Sequence, residues 1–363
     1  MSYLTLEKLY KVYPNGFEAL KGIDLKIDKG EFVVLLGPSG CGKTTTLRMI
    51  AGLEKVSKGE IILDNQIINN LAPKDRNVSM IFQSYAVWPH ITVYENIAYP
   101  LKLRKYTKQE IGEMVHRVSQ ICEIDENLHR YPSQLSGGQR QRVAVARAIA
   151  IQSKLFLMDE PLSNLDAKLR VSVRTFLKQI HQEYNATTLF VTHDQSEAMA
   201  LADRIVVMNQ GLIEQIGKTL EVYNDCDSLF VANFMGTPPA NIQETDIVCE
   251  DDGIYAVADG FKLPIEGEVE QTIRGKYAGR KVLTAIRPEN ISLNRRISFA
   301  RTKIDIIEPQ GSHTILAVKV CNKIWKILLL VESMKFSVGE SITLTADPSK
   351  VMFFDPVTQK RIR

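Results

Sequence analysis

A chain of 363 residues with 45% hydrophobic and 24% charged residues has a globular make-up with room for two domains. Its net charge of +3 lacks the basic excess that nucleic-acid binding needs. The longest apolar runs, "FVVLL" and "ILLLV", fall far short of the roughly 20 residues that span a bilayer. The five cysteines (Cys41, Cys122, Cys226, Cys249, Cys321) form no C-x-x-C pair, and no basic segment followed by an apolar core opens the chain, so a reduced, cytosolic protein is expected.

Alternation in "YLTLEKLYKVY" and "GIDLKID" predicts antiparallel strands at the start. "EFVVLLG" is a short apolar run closed by glycine, as expected of a buried strand, and "KTTTLRMIAGL" after it has a helical pattern ending at Gly52. "TKQEIGEMVHRVSQICEI" reads as an amphipathic helix with a capping box of Thr107 and Glu110. "LSGGQRQRVAVARA", residues 135–148, places a serine and two glycines directly before a basic helix. Then come a buried strand in "KLFLMDEP", a helix from about Asn164 to Tyr184, a third strand in "ATTLFVTHD" and a helix in "SEAMALA". "RIVVMNQGLIEQI" reads as a hairpin turning on Gln210-Gly211. Strands alternating with helices imply a mainly parallel α/β sheet. Past Thr237-Pro238-Pro239 the texture changes to strands ("KVLTAIRPENISL", "TKIDIIEP", "HTILAVKV", "WKILLLV", "SITLTAD"), as expected of a separate all-β domain, a small barrel.

"GPSGCGKTTT" at 37–46 fits G-x-x-x-x-G-K-[ST] between a strand and a helix. Backbone N–H groups of Gly40, Gly42 and Lys43 can surround a β-phosphate, Lys43 can reach the β- and γ-phosphates, and the Thr44 hydroxyl can ligate Mg²⁺. Gly37, Ser39, Cys41 and Thr45 belong to the same expected ATP-binding loop, and a thiol reagent at Cys41 is expected to block activity. In "LFLMDE", Asp159 ends a buried strand within reach of Mg²⁺, and Glu160 follows, placed to orient or deprotonate an attacking water. The serine–glycine start of the 135–148 helix exposes unpaired N–H groups and the positive end of the macrodipole, which makes it an anion site.

With the phosphate loop, "LSGGQ" and "LFLMDE" in this order, residues 3 to 236 resemble the ATP-binding cassette (ABC) family of transporter ATPases. The resemblance implies an α/β P-loop NTPase over residues 1–236, with a RecA-like core, an antiparallel β-subdomain and a helical subdomain at about 84–152. An all-β, OB-like (TOBE-type) domain over 237–363, serving regulation and dimerisation, follows. It implies that Ser136, Gly137, Gly138 and Gln139 bind the γ-phosphate of ATP held by a second subunit. Gln83 would sense Mg²⁺ and the attacking water, so that Thr44, Gln83 and Asp159 serve the metal. Asp166 in "SNLD" would lie in a loop crossing the dimer interface, and His193 would contact the γ-phosphate. Glu160, His193, Gln83 and Lys43 would then carry catalysis, and Tyr13 would stack on adenine, with Phe17 the competing candidate.

"AIRPENISL", "FMGTPPAN" and "QSYAVWPHITVYENIAYPL" resemble the carbohydrate-uptake importer ATPases of the maltose-importer type. Ala240-Asn241-Ile242 stands where those carry Met-Asn-Phe, so polyamine, iron, anion or glycerol-phosphate uptake stays open. The resemblance implies a homodimer, or a pair with a paralogous ATPase, peripheral on the cytoplasmic side of the membrane. Two permeases would each insert a short helix near Gln83, with Tyr85, Trp88 and Tyr94 as anchors, and a solute-binding protein would act outside. No nucleic-acid partner is expected. The competing function is an ATP-gated module whose tail sequesters a regulator such as a transcription factor.

Overall fold

The computed structural model describes residues 2–293, 298–330 and 336–363. The chain divides into two compact units, Met1–Thr219 and Leu220–Arg363.

In the first unit, β1 (Ser2–Val12) pairs antiparallel with β2 (Glu18–Asp28), as the alternation predicts. β3 (Phe32–Leu36) is buried at every residue and leads through the phosphate loop into α1 (Lys43–Ala51), which Gly52 ends in a left-handed conformation. β4 (Lys58–Leu63) and β5 (Gln66–Ile67) complete the antiparallel sheet, in the order β2-β1-β4-β5. The next pieces are β6 (Val78–Ile81), α2 (Val93–Leu103), α3 (Lys108–Ile121) and α4 (Gly137–Ala150). The capping box of Thr107 and Glu110 is present at the start of α3. β7 (Leu155–Asp159), α5 (Ala167–Tyr184), β8 (Thr187–Thr192), α6 (Gln195–Leu201), β9 (Arg204–Asn209) and β10 (Leu212–Lys218) follow. Among the described residues the second sheet runs β10-β9-β3-β8-β7-β6, and its strands from β9 to β6 are parallel. A parallel sheet sends the ends of its central strands to one edge, which is where loops can assemble a site. α5 starts at Ala167 rather than near Asn164, because the Asp166 carboxylate caps it by accepting from Leu169 N–H at 2.9 Å.

β4, β6 and α2 went unread in the sequence. β6 is only four residues long, and α2 carries Pro100 and aromatic residues that blur a helical period. Leu4, Leu6, Leu25 and Ile27 from the antiparallel sheet share one core with Val33, Leu35, Leu157 and Val191 from the parallel one.

The second unit opens with α7 (Thr219–Asn224) and α8 (Leu229–Phe234). Its strands are β11 (Asn241–Glu250), β12 (Gly253–Ala258), β13 (Phe261–Pro264), β14 (Lys281–Ile286), β15 (Ile291–Leu293), β16 (Ala300–Pro309), β17 (His313–Val320), β18 (Lys323–Leu330), β19 (Ser341–Ala346) and β20 (Met352–Phe354). One helix, α9 (Val269–Tyr277), interrupts them. Val331, the end of the expected "WKILLLV" strand, lies outside the described residues. Pairing runs β15-β19-β16-β13-β12-β11-β14-β20, with β17 and β18 added beside β16, over a core that includes Trp325, Phe261 and Phe299.

The sequence places the boundary at 236/237, where strands take over, yet the compact units divide at 219/220. Arg287 accounts for the company the short helices keep. It is 1% exposed, and its guanidinium donates to the carbonyls of Tyr223 (3.0 Å from Nε) and Met235 (2.5 Å from Nη1) while lying over the Tyr223 ring. Arg287→Met leaves these buried acceptors unpaired and is expected to destabilise the second unit by about 2–4 kcal/mol. Calorimetry of the full chain checks this, and an unchanged melting profile would remove Arg287 as the tie.

Candidate active site

The phosphate loop leaves β3 at Gly37 and enters α1 at Lys43. Gly42 takes φ +108°, and a side chain there would put its Cβ 2.7 Å from the Ala19 carbonyl, so only glycine fits this turn. Among the described residues the N–H groups of Gly40, Gly42 and Thr44 make no hydrogen bond within the chain. Ser39 and Gly40 are exposed at the crest, and Gly37 is buried at the base. Lys43 is buried, and its ammonium donates to the carbonyls of Gly37 (2.7 Å) and Pro38 (2.9 Å) inside the loop. A desolvated cation held by neutral carbonyls beside unpaired N–H groups makes an anion cradle.

Thr44 Oγ1 donates to Asp159 Oδ1 at 2.8 Å and so joins the loop to the end of β7. Burial pushes the Asp159 carboxyl above its ordinary range, and the Thr44 hydrogen bond and the Arg48 and Lys43 charges only partly oppose it. A hydroxyl and a carboxylate side by side are hard oxygen donors, few enough to leave room for phosphate oxygens and waters. That donor set fits Mg²⁺.

Glu160 follows Asp159 at φ +43°, held by its N–H to the Val191 carbonyl (3.0 Å). Its Oε2 lies 3.2 Å from Nδ1 of His193, which is 55% exposed just past β8. Gln83 leaves β6 exposed, and its Nε2 donates to Ser163 Oγ at 3.3 Å rather than to the Thr44–Asp159 pair. Ser163 Oγ in turn donates to the Glu160 carbonyl at 2.9 Å, and Asn164 Nδ2 to the Gln83 carbonyl at 3.0 Å. The structure thus brings Gln83, Glu160, His193 and residues 163–166 together at the strand ends.

Tyr13 touches this region through its hydroxyl, 3.4 Å from Thr45 Oγ1. The Lys11 ammonium sits 4.8 Å from its ring centre. Phe17, 54% exposed, stacks near it with ring centres 6.4 Å apart.

At the start of α4, Ser136 Oγ accepts from Gln139 N–H (3.3 Å), and Gln139 Oε1 accepts from Ser136 N–H (2.9 Å). This capping box uses Gln139 internally and leaves the Ser136 hydroxyl proton free to donate. The N–H groups of Gly137 and Gly138 make no hydrogen bond among the described residues. Gly138 is buried against Leu169, whose side chain would have to shift to admit a Cβ there. No hydrogen bond joins residues 135–139 to residues 37–45 among the described residues.

Tyr85 and Trp88 sit in different settings. Tyr85 is buried at φ +63°, whereas Trp88 packs on Tyr99 (4.7 Å) under the Arg147 guanidinium (4.8 Å). Trp88, Tyr99, Phe82, Leu53 and Leu103 line an apolar groove of about 430 Å³ that Tyr85 and Tyr94 do not border.

The sequence reading missed Arg170, Asp194 and Glu197, and it quoted Ser163 and Asn164 in "SNLD" without giving them a role of their own. Asp194 caps α6 with Glu197 three residues on, a helix-start spacing that could have drawn notice. Burial alone would raise the Asp194 carboxyl, but bonds from Ser196 and Glu197 and the Arg170 charge hold it below its ordinary range. Glu197 is pushed up by burial, and its bond from Thr192 opposes this.

Residues 20–163 match the ABC transporter family, and residues 284–354 match the TOBE domain. An oligosaccharide-import ATP-binding protein of Bacillus subtilis (strain 168) is 42% identical over the whole of both chains. The chain belongs to the ABC transporter family. A multiple sugar-binding transport ATP-binding protein of Streptococcus mutans is 43% identical over the whole of both chains. An sn-glycerol-3-phosphate import ATP-binding protein of Bordetella bronchiseptica is 43% identical over all of this chain and 99% of that one. Among solved structures, a dimeric ATP-binding cassette in a post-hydrolysis state with ADP and Pi is 34% identical, with a TM-score of 0.54 over 60% of this chain and 98% of that one. The first unit is an ABC-type ATPase, and an all-β TOBE region follows it.

One expectation changes. The Cys41 side chain is 3% exposed, packed in the core beneath the loop, and burial raises its thiol above the ordinary range. A reagent that needs an accessible thiolate is expected to modify exposed Cys249 first and to leave Cys41 and nucleotide binding intact. Peptide mass spectrometry beside a nucleotide titration checks this, and labelling of Cys41 as fast as Cys249 would contradict it.

Proposed function

We propose that the chain hydrolyses ATP as the motor subunit of an importer, in a head-to-tail pair in which each copy completes the other's site. The observation that carries this is the 2.8 Å bond joining Thr44 in the phosphate loop to Asp159, with Glu160 and its histidine partner on the next turn of chain. Lys43 and the loop N–H groups bind the β- and γ-phosphates, and Tyr13 offers a π-face to the base. Thr44 and Asp159, joined by Gln83 when nucleotide is bound, would hold Mg²⁺, which when bound neutralises charge on the phosphate oxygens.

Glu160 accepts a proton from a water whose oxygen attacks the γ-phosphorus, and the bond to the β-phosphate oxygen breaks to release ADP and phosphate. His193 is placed to donate toward the γ-phosphate and to hold Glu160 in line. Ser136, Gly137 and Gly138 of one copy supply the unpaired donors that face the other copy's γ-phosphate. Asp166 lies beside this interface as the cap of α5.

The apolar groove beside Gln83 suits a short cytoplasmic helix of a permease. Its aromatic floor of Trp88 and Tyr99 has the make-up of an interface hot spot. Two permeases and an external solute-binding protein complete the importer, with this chain peripheral at the cytoplasmic membrane face. Among the described residues no helix is long and apolar enough to cross a bilayer. The relatives' names favour a sugar or oligosaccharide as solute, with glycerol phosphate as the second reading. The TOBE region supports dimer contacts and regulation.

Glu160→Gln keeps shape and hydrogen bonding but removes the base. It is expected to cut turnover about 10²–10⁴-fold with ATP affinity retained. Steady-state hydrolysis beside nucleotide titration tests this, and normal turnover would reject Glu160 as the base.

A further inference from the structure

Arg170, on the first turn of α5, reaches three separate pieces of the site. Its Nη2 donates to the Leu165 carbonyl in the 163–166 loop (3.3 Å) and its Nη1 to Asp194 Oδ2 (3.3 Å), while its Nε lies 3.9 Å from Glu197 Oε1. Asp194 directly follows His193, and its other oxygen caps α6 by accepting from Ser196 N–H (2.7 Å) and Glu197 N–H (3.3 Å). On the other side of His193, Thr192 Oγ1 accepts from Asp194 N–H (2.9 Å) and donates to Glu197 Oε2 (2.6 Å). Both backbone neighbours of His193 are therefore fixed, whereas its exposed imidazole lies 3.2 Å from Glu160. Arg170, Asp194 and Glu197 share with Glu160 and His193 the wall of one small polar cavity of about 70 Å³.

An isolated, partly exposed ion pair contributes little to stability. A planar guanidinium that bridges a loop carbonyl and a capping carboxylate instead fixes the distance between two catalytic loops. We propose that Arg170 is a positioning residue that ties the 163–166 loop to His193, so that docking of a second copy on that loop holds the imidazole against Glu160. This rests on the roles of Glu160 and His193 proposed above.

The test uses the full chain and steady-state ATP hydrolysis. Arg170→Met is expected to lower kcat about 10–100-fold with KM for ATP changed less than about twofold, because misplacement of a catalytic group costs rate rather than nucleotide binding. Arg170→Lys keeps the charge but not the fork, and is expected to rescue little. Asp194→Asn keeps the helix cap but loses the charge facing Arg170, and is expected to lower kcat in the same way even if Arg170→Met folds poorly. In a His193→Ala background, Arg170→Met is expected to add less than about a twofold loss, since the two act as one unit. Losses that multiply in the double variant, or unaltered kcat in Asp194→Asn, would overturn the role of Arg170. Full turnover in His193→Ala alone would instead overturn the reading of the histidine.

Discussion

Everything at this site follows from backbone N–H groups that the fold leaves without partners at two helix starts. At α1 they belong to Gly40, Gly42 and Thr44 beside the buried Lys43, and at α4 to Gly137 and Gly138 behind Ser136. An unpaired donor at the positive end of a helix draws an anion, and among the described residues the two starts share no hydrogen bond. In the function proposed above, one cradle holds the phosphates and the other would face the outer phosphate of a neighbour's nucleotide. On that proposal, a second copy would be needed wherever the outer phosphate requires the α4 donors.

The parallel sheet makes the rest possible. β3 delivers the phosphate loop, β7 delivers Asp159 and Glu160, β8 delivers His193, and β6 delivers Gln83, all at one edge. Small polar residues then lace these loops together. Ser163 bonds to Gln83 and to the Glu160 carbonyl, and Arg170 joins the same loop to Asp194. The loop that would meet a second copy is thus mechanically joined to the groove-side glutamine and to the histidine. On the function proposed above, a chain built this way would sense a partner and a permease with the residues that handle the phosphate.

Much of this was legible in the sequence because the chemistry needs fixed spacings. The phosphate loop, the aspartate–glutamate pair at the end of an apolar run and the serine–glycine helix start each sit where their local pattern puts them. What was hidden has physical reasons. Arg170 looks like one more charge on an amphipathic helix until Leu165 and Asp194 fold up beside it. Gly138 reads as bare backbone for a ligand, but it also packs against the Leu169 side chain. Cys41 looked reactive because its neighbours in sequence bind phosphate, while its side chain turns into the core. The fold of the second unit was legible only in outline, since β11, β12 and β13 carry polar residues on their exposed faces and α9 is short.

The sharing of one site between two chains is tested most directly at Ser136. Aspartate caps a helix as well as serine does, so Ser136→Asp preserves α4 while placing a negative charge where the other copy's γ-phosphate would lie. In a Glu160→Gln background, which slows hydrolysis, the measurement is the rate at which bound ATP exchanges with an excess of unlabelled ATP. Slow exchange in Glu160→Gln that becomes fast on adding Ser136→Asp, with ATP affinity for the phosphate loop retained, is the predicted result. Exchange equally slow in both variants would contradict a site closed by a second chain.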